Sequence, residues 1–180
     1  MRPSRLVCFL ALTGCATAGA GGPGNGPTRV VPSSNGGTIL VNQDVQSSDS
    51  TISAAPDTAW AALGAVYRSL EIPVTMVDQA HHQLGNRDLE LTRGRIAGQA
   101  MSAYFDCGGS MTGPIANSAR LRIDVVSRVE PAPSGGTVLS TRATATALST
   151  NGTSTGAGAC SSTGRLESLI AQRVERYLGR

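Results

Sequence analysis

The side chains in this 180-residue chain that could do acid–base, metal or redox chemistry are few: four cysteines, two histidines and twelve carboxylates. Cys15 ends an apolar run and is followed by a tract of glycine, proline and small residues. Cys107 and Cys160 stand far apart, with no C-x-x-C spacing and no histidine near either in sequence. Thiols of this kind are open to three uses: metal ligation, redox chemistry or a structural bond. Asp78, His81 and His82 could reach a metal ion. Adjacent histidines in a strand point to opposite faces, however, which suits one ion poorly, so a solvated turn is expected there. Gly108-Gly109-Ser110-Met111-Thr112 approaches a nucleophile elbow, but Thr112 stands where glycine is needed and no strand-turn-helix surrounds it. Gly19-Ala20-Gly21-Gly22-Pro23-Gly24 spells G-x-G-x-x-G without the strand before it and the helix after it that a dinucleotide needs. Asn151-Gly152-Thr153 matches a glycosylation sequon. No catalytic constellation emerges, so no catalysis, no cofactor and no metal ligand are expected.

The elements around these residues decide what they can do. Arg2 and Arg5 precede a continuously apolar stretch from Leu6 to Leu12. A basic start and a short apolar core make a secretory signal. The run falls far below the ~20 residues that cross a bilayer. Leu12-Thr13-Gly14-Cys15 resembles the lipobox of bacterial lipoproteins, an aliphatic residue and two small ones before a cysteine. The resemblance implies that residues 1–14 are removed and that Cys15 becomes a lipid-bearing N-terminus. It also implies a membrane partner, reached through that lipid. Ala16 is not the aspartate that retains such proteins at the inner membrane, which implies the outer membrane, facing the periplasm. On this reading Cys8 leaves with the signal and Cys15 takes the lipid. Cys107 and Cys160 remain as a pair in an oxidising space, where a disulfide is expected. It would close a loop of about 54 residues, worth roughly 4 kcal/mol in the chain-entropy account.

Charge excludes a further class. All fifteen basic residues are arginine, and losing Arg2 and Arg5 takes the formal charge from +3 to about +1. The remaining arginines are scattered and only 3% of the chain is aromatic, so no nucleic-acid platform is expected.

Residues 15–37 are rich in Gly, Pro, Ser and Asn and read as a flexible tether. The folded part is expected as one domain over residues 38–180. Residues 38–45 suggest a first strand. Pro56 and Asp57 suit the first turn of a helix, whose apolar face carries Trp60, Leu63, Tyr67 and Leu70 and which Pro73 should end. Residues 74–77 and 84–92 read as strands, the second with a possible bulge at Gly85. A short helix is expected over 98–105 and a loop over 107–117. Leu121, Ile123, Val125 and Val129 alternate with Arg120, Arg122, Asp124 and Arg128, the period of a half-buried antiparallel strand. Residues 131–136 turn the chain, and Thr137 to Leu148 returns as a strand with Leu139, Ala143, Ala145 and Ala147 on one face. A loop over 151–163 holds Cys160. Leu166, Leu169, Ile170, Val174 and Tyr177 mark an amphipathic helix over 164–178.

The expected class is therefore α+β, in the order β-α-β-β-β-β-α, with both helices on one face of an antiparallel sheet. This layout is similar to a helix-grip fold. "SAAPDTAWAAL" followed by "VDQAHHQLGNRDLEL" resembles the C-terminal module of BamC-type outer-membrane lipoproteins, over residues 50 to 180. That resemblance implies a non-catalytic structural or protein-interaction role in the envelope, with an envelope protein as partner. START-like lipid-binding domains share the topology, and the alternative they imply is a binding module for a small apolar ligand or lipid between sheet and C-terminal helix.

Overall fold

A computed structural model describes residues 28–32, 38–42, 47–148 and 158–179. In chain order the elements are β1 (Thr28–Pro32), β2 (Thr38–Asn42), β3 (Ser47–Ile52), α1 (Pro56–Ser69), β4 (Met76–Asp78), β5 (Gln83–Thr92), β6 (Arg95–Ile96), β7 (Gln99–Ala100), β8 (Phe105–Asp106), β9 (Gly109–Ser110), β10 (Gly113–Pro114), α2 (Ile115–Ser118), β11 (Arg120–Pro131), β12 (Thr137–Leu148), β13 (Gly158–Ser162) and α3 (Arg165–Leu178). The class is α+β. One antiparallel sheet runs β4-β5-β11-β12-β13-β8, and β3 pairs with β12 beside β13. The long hairpin β11–β12 is its spine, in register from Arg120 opposite Leu148 to Pro131 opposite Thr137. No helix among the described residues is long and apolar enough to cross a membrane.

The period-two pattern places the core. Leu121, Ile123, Val125 and Val129 are at most 1% exposed, as is Leu139, and Ala143, Ala145 and Ala147 are buried beside them. Because β11 and β12 pair directly, these side chains form one apolar face, interrupted at the Ser127–Thr141 pair. Both long helices cover that face and touch each other. From α1 come Ala59, Ala62, Leu63, Val66 and Tyr67; from α3 come Leu166, Ile170, Ala171 and Val174. Trp60 is only half-buried, and Tyr177, expected in the stripe of the last helix, is 51% exposed.

Several boundaries differ from expectation. β2 covers only the first part of the strand expected over 38–45, and it pairs with β1, inside the stretch read as tether. The main sheet instead starts with β3. Only Ile52 in that strand is fully buried, so its sequence carries no apolar period; backbone pairing with β12 defines it. α1 ends at Ser69 rather than at Pro73. Glu71 turns left-handed (φ 58°) and the Ile72 N–H donates to the Tyr67 carbonyl at 3.0 Å, which closes the last turn. The short helix over 98–105 shrinks to a 3₁₀ turn at Met101–Ala103. The loop over 107–117 contains the single turn α2 and the small ribbon β9–β10. Within the loop read over 151–163, Gly158–Ser162 is a strand paired with both β12 and β8.

Gly85 has a role other than a bulge. A Cβ there would collide with the Val125 carbonyl oxygen and lie 2.8 Å from the Val126 Cα, so glycine lets β11 approach. The bulge falls two residues on. Ile123 faces Leu89 while Val125 faces Asn86, so Arg87 and Asp88 together oppose Asp124.

Candidate functional site

The sheet has two unlike faces. Its inner face is closed by helices. Its outer face carries the alternate residues of β5, β11 and β12, and there the twisted sheet forms a concavity of about 390 Å³. Arg87, Asp124 and Arg142 line it with Gln83, Ser47, Ser140, Thr144, Val126 and Arg128. Each position follows from the register. Arg87 follows Gln83 by strand alternation to the same side as Asp124, and Arg142 stands opposite Val126 on the neighbouring strand.

The charges around the concavity are not equivalent. At one end Arg122 reaches Asp88 at 2.9 Å and Glu90 at 3.2 Å, and the Arg120 Nε–H donates to Glu90 at 3.0 Å. Hydrogen bonds from Arg120, then Arg122, hold the Glu90 carboxyl below the ordinary carboxylate range. At the other end Arg128 pairs with Glu130 at 2.6 Å. Among the described residues, Arg87 and Arg142 have no carboxylate within ion-pair distance. Between them Asp124 has its acidity weakened. Partial burial raises its pKa, Arg87 opposes that rise, and Asp88 adds to it. The floor is thus polar and cationic, and Asp124 is its acidic member.

The residues singled out in the sequence go to separate places. Cys107 and Cys160 form a disulfide with an S–S distance of 2.03 Å. Cys160 stands opposite Ala145, so the bond lies on the helix side of the sheet and helps cover the thin alanine patch. Cys15, the glycine tract 19–24 and the sequon 151–153 lie outside the described residues. The Ser110 hydroxyl donates to the Gly113 carbonyl at 2.9 Å and sits 3.1 Å from the Thr112 hydroxyl, within an exposed turn. His81 Nδ1 lies 2.7 Å from Asp78, whose carboxyl the His81 contacts hold below its ordinary range. His82 turns elsewhere: its ring lies 5.6 Å from that of Trp60, and Nε2 is 3.8 Å from Asp57. The pair is thus split by orientation.

Of the buried polar side chains that the sequence does not flag, two groups stand out. The Tyr67 hydroxyl lies 2.9 Å from Ser127 Oγ, which lies 2.8 Å from Thr141 Oγ1, all inside the core. A signal existed: the apolar alternation skips position 127 on one strand and 141 on the next, and these are register partners. Glu167 is the second, 1% exposed in the first turn of α3 and accepting a hydrogen bond from Ser162 at 2.7 Å. Its other carboxylate oxygen has no partner among the described residues. Comparison of the chain with protein-family models finds no match, and comparison with curated proteins finds no significant one.

Proposed function

We infer that this is a lipid-anchored protein of the bacterial envelope, held through Cys15 at the outer membrane and acting without catalysis as a structural or interaction module. The observation that carries the interaction half is the division of the sheet. Its inner face is filled by Leu166, Ile170 and Val174, each at most 1% exposed, while its outer face is concave, polar and open among the described residues. The Leu12-Thr13-Gly14-Cys15 motif supports the anchor, and the Cys107–Cys160 bond suits an oxidising compartment. Two helices gripping one sheet face support the likeness to helix-grip modules of BamC type. The same filling of the inner face favours interaction over the second reading, an apolar ligand held between sheet and C-terminal helix.

Two measurements test this. Intact-mass analysis of native protein from cell envelopes should give a chain starting at Cys15 with acyl additions, and Cys15→Ser should release it from membranes, since two or more chains make anchoring stable. An unmodified Cys15 thiol in native protein would end the lipoprotein reading. A photo-crosslinking residue at Thr144, on the open face, should trap an envelope protein, whereas one at Arg68 on α1 should not. Crosslinks from Arg68 alone would place the interaction on the wrong side of the domain.

A further inference from the structure

The open face makes a chemical choice among partners, and the inference drawn from it rests on the interaction reading above. We propose that the concavity between β5, β11 and β12 binds an acidic peptide segment of a partner protein, with Arg87 and Arg142 taking its carboxylates. Guanidinium groups donate in a planar fork that matches a carboxylate. Here two of them share one hollow and lack carboxylate partners among the described residues, while the neighbouring Arg120, Arg122 and Arg128 are already paired. The hollow is large enough for several side chains, at about 390 Å³.

The lining argues against other anions. It contains no aromatic ring, so sugars and bases have no stacking platform. Val126 is its one aliphatic side chain, too little to hold an acyl chain. Ser140, Thr144 and Gln83 offer hydroxyl and amide groups that both donate and accept, which suits a peptide backbone and its polar side chains. Asp124 among the arginines opposes any anion and so limits the affinity that the two guanidinium groups can supply.

The test uses the full chain and a short, end-blocked, glutamate-rich peptide, with a glutamine analogue as control. Titration calorimetry should show binding of the first peptide only, weakening as salt is raised. Arg87→Gln and Arg142→Gln should each weaken it about threefold and together about tenfold, the scale of partly exposed ion pairs. Asp124→Asn should tighten it about twofold by removing the opposing charge. All three side chains are on the open face, so unchanged thermal melts of the arginine variants separate lost binding from lost folding. Equal binding of the glutamine analogue, or binding indifferent to both arginines, would overturn the proposal. So would capture of phosphatidylglycerol vesicles that depends on these arginines, since the face would then meet lipid. Self-association abolished by the same substitutions would make a second copy the occupant and overturn it too. If the peptide fails while Thr144 still crosslinks an envelope protein, the acidic chemistry is wrong and the interaction reading survives; if the crosslinks fail as well, both fall.

Discussion

Ser127→Ala should destabilise the domain more than loss of one oxygen suggests. Ser127 is 0% exposed and sits between two hydroxyls, those of Tyr67 (0% exposed) and Thr141 (1% exposed), at 2.9 and 2.8 Å. Alanine there removes the common partner and strands both in a core that water does not reach. Each stranded group costs about 1–3 kcal/mol, so the substitution should cost about 2–4 kcal/mol. Tyr67→Phe removes the polar group itself and leaves Ser127 bonded to Thr141, so it should cost only about 0.5–1.5 kcal/mol. In the Tyr67→Phe background, Ser127→Ala strands Thr141 alone, and the two changes together should cost about 1 kcal/mol less than their sum. Urea unfolding of the four proteins measures this as shifts of midpoint at constant slope. The ionisation of Tyr67 gives a second view. Burial pushes its phenol well above the ordinary tyrosine range, and the bond to Ser127 only partly offsets this. A raised folded-state pKa means the stabilisation is full below the ordinary tyrosine pKa and is lost as pH climbs towards the folded value. Phenolate absorbance from Tyr67 should therefore appear only with unfolding. Additive losses within about 0.5 kcal/mol, or a Ser127→Ala cost below that figure, would refute the idea that the three hydroxyls act as one chain.

Ala145→Leu tests the filled inner face. Ala145 is 4% exposed between Ile123 and Cys160, so added methylenes should overpack and cost about 1–3 kcal/mol in denaturant unfolding, whereas a neutral or stabilising result would mean an unfilled cavity. Reduction of Cys107–Cys160, which spans 53 residues of sequence, should lower the melting temperature by releasing roughly 4 kcal/mol of constraint on the unfolded chain; an unchanged melt would make the bond incidental to stability. Asp124→Asn should raise the melting temperature at neutral pH. Because the folded-state pKa of Asp124 is raised, its relative penalty is absent below the unfolded carboxylate pKa and grows as pH rises through the folded one. The gain should accordingly vanish in acid, and a gain that persists there would point to another cause.

What the sequence determined by itself was what local spacing can carry. The alternation in 120–131 and 137–148 fixes a hairpin, because one buried face requires every second side chain to be apolar. The stripes of α1 and α3 follow from helical period in the same way, and with them the α+β class. The cysteine pairing was legible from cysteine number once the chain is read as exported, and the disulfide is there. What only the tertiary structure decided has no local period. Ser47–Ile52 and Gly158–Ser162 are strands because β12 offers backbone groups to pair with, and each buries only one residue of its own. Tyr67 meets Ser127 across sixty positions, a contact set by docking of helix on sheet. The candidate site belongs to this second kind. Arg87 and Arg142 read as scattered charges along the chain. They share a hollow because β5 and β12 pair with the two edges of β11, which sets both side chains on the outer face of one twisted sheet, and that pairing acts between segments.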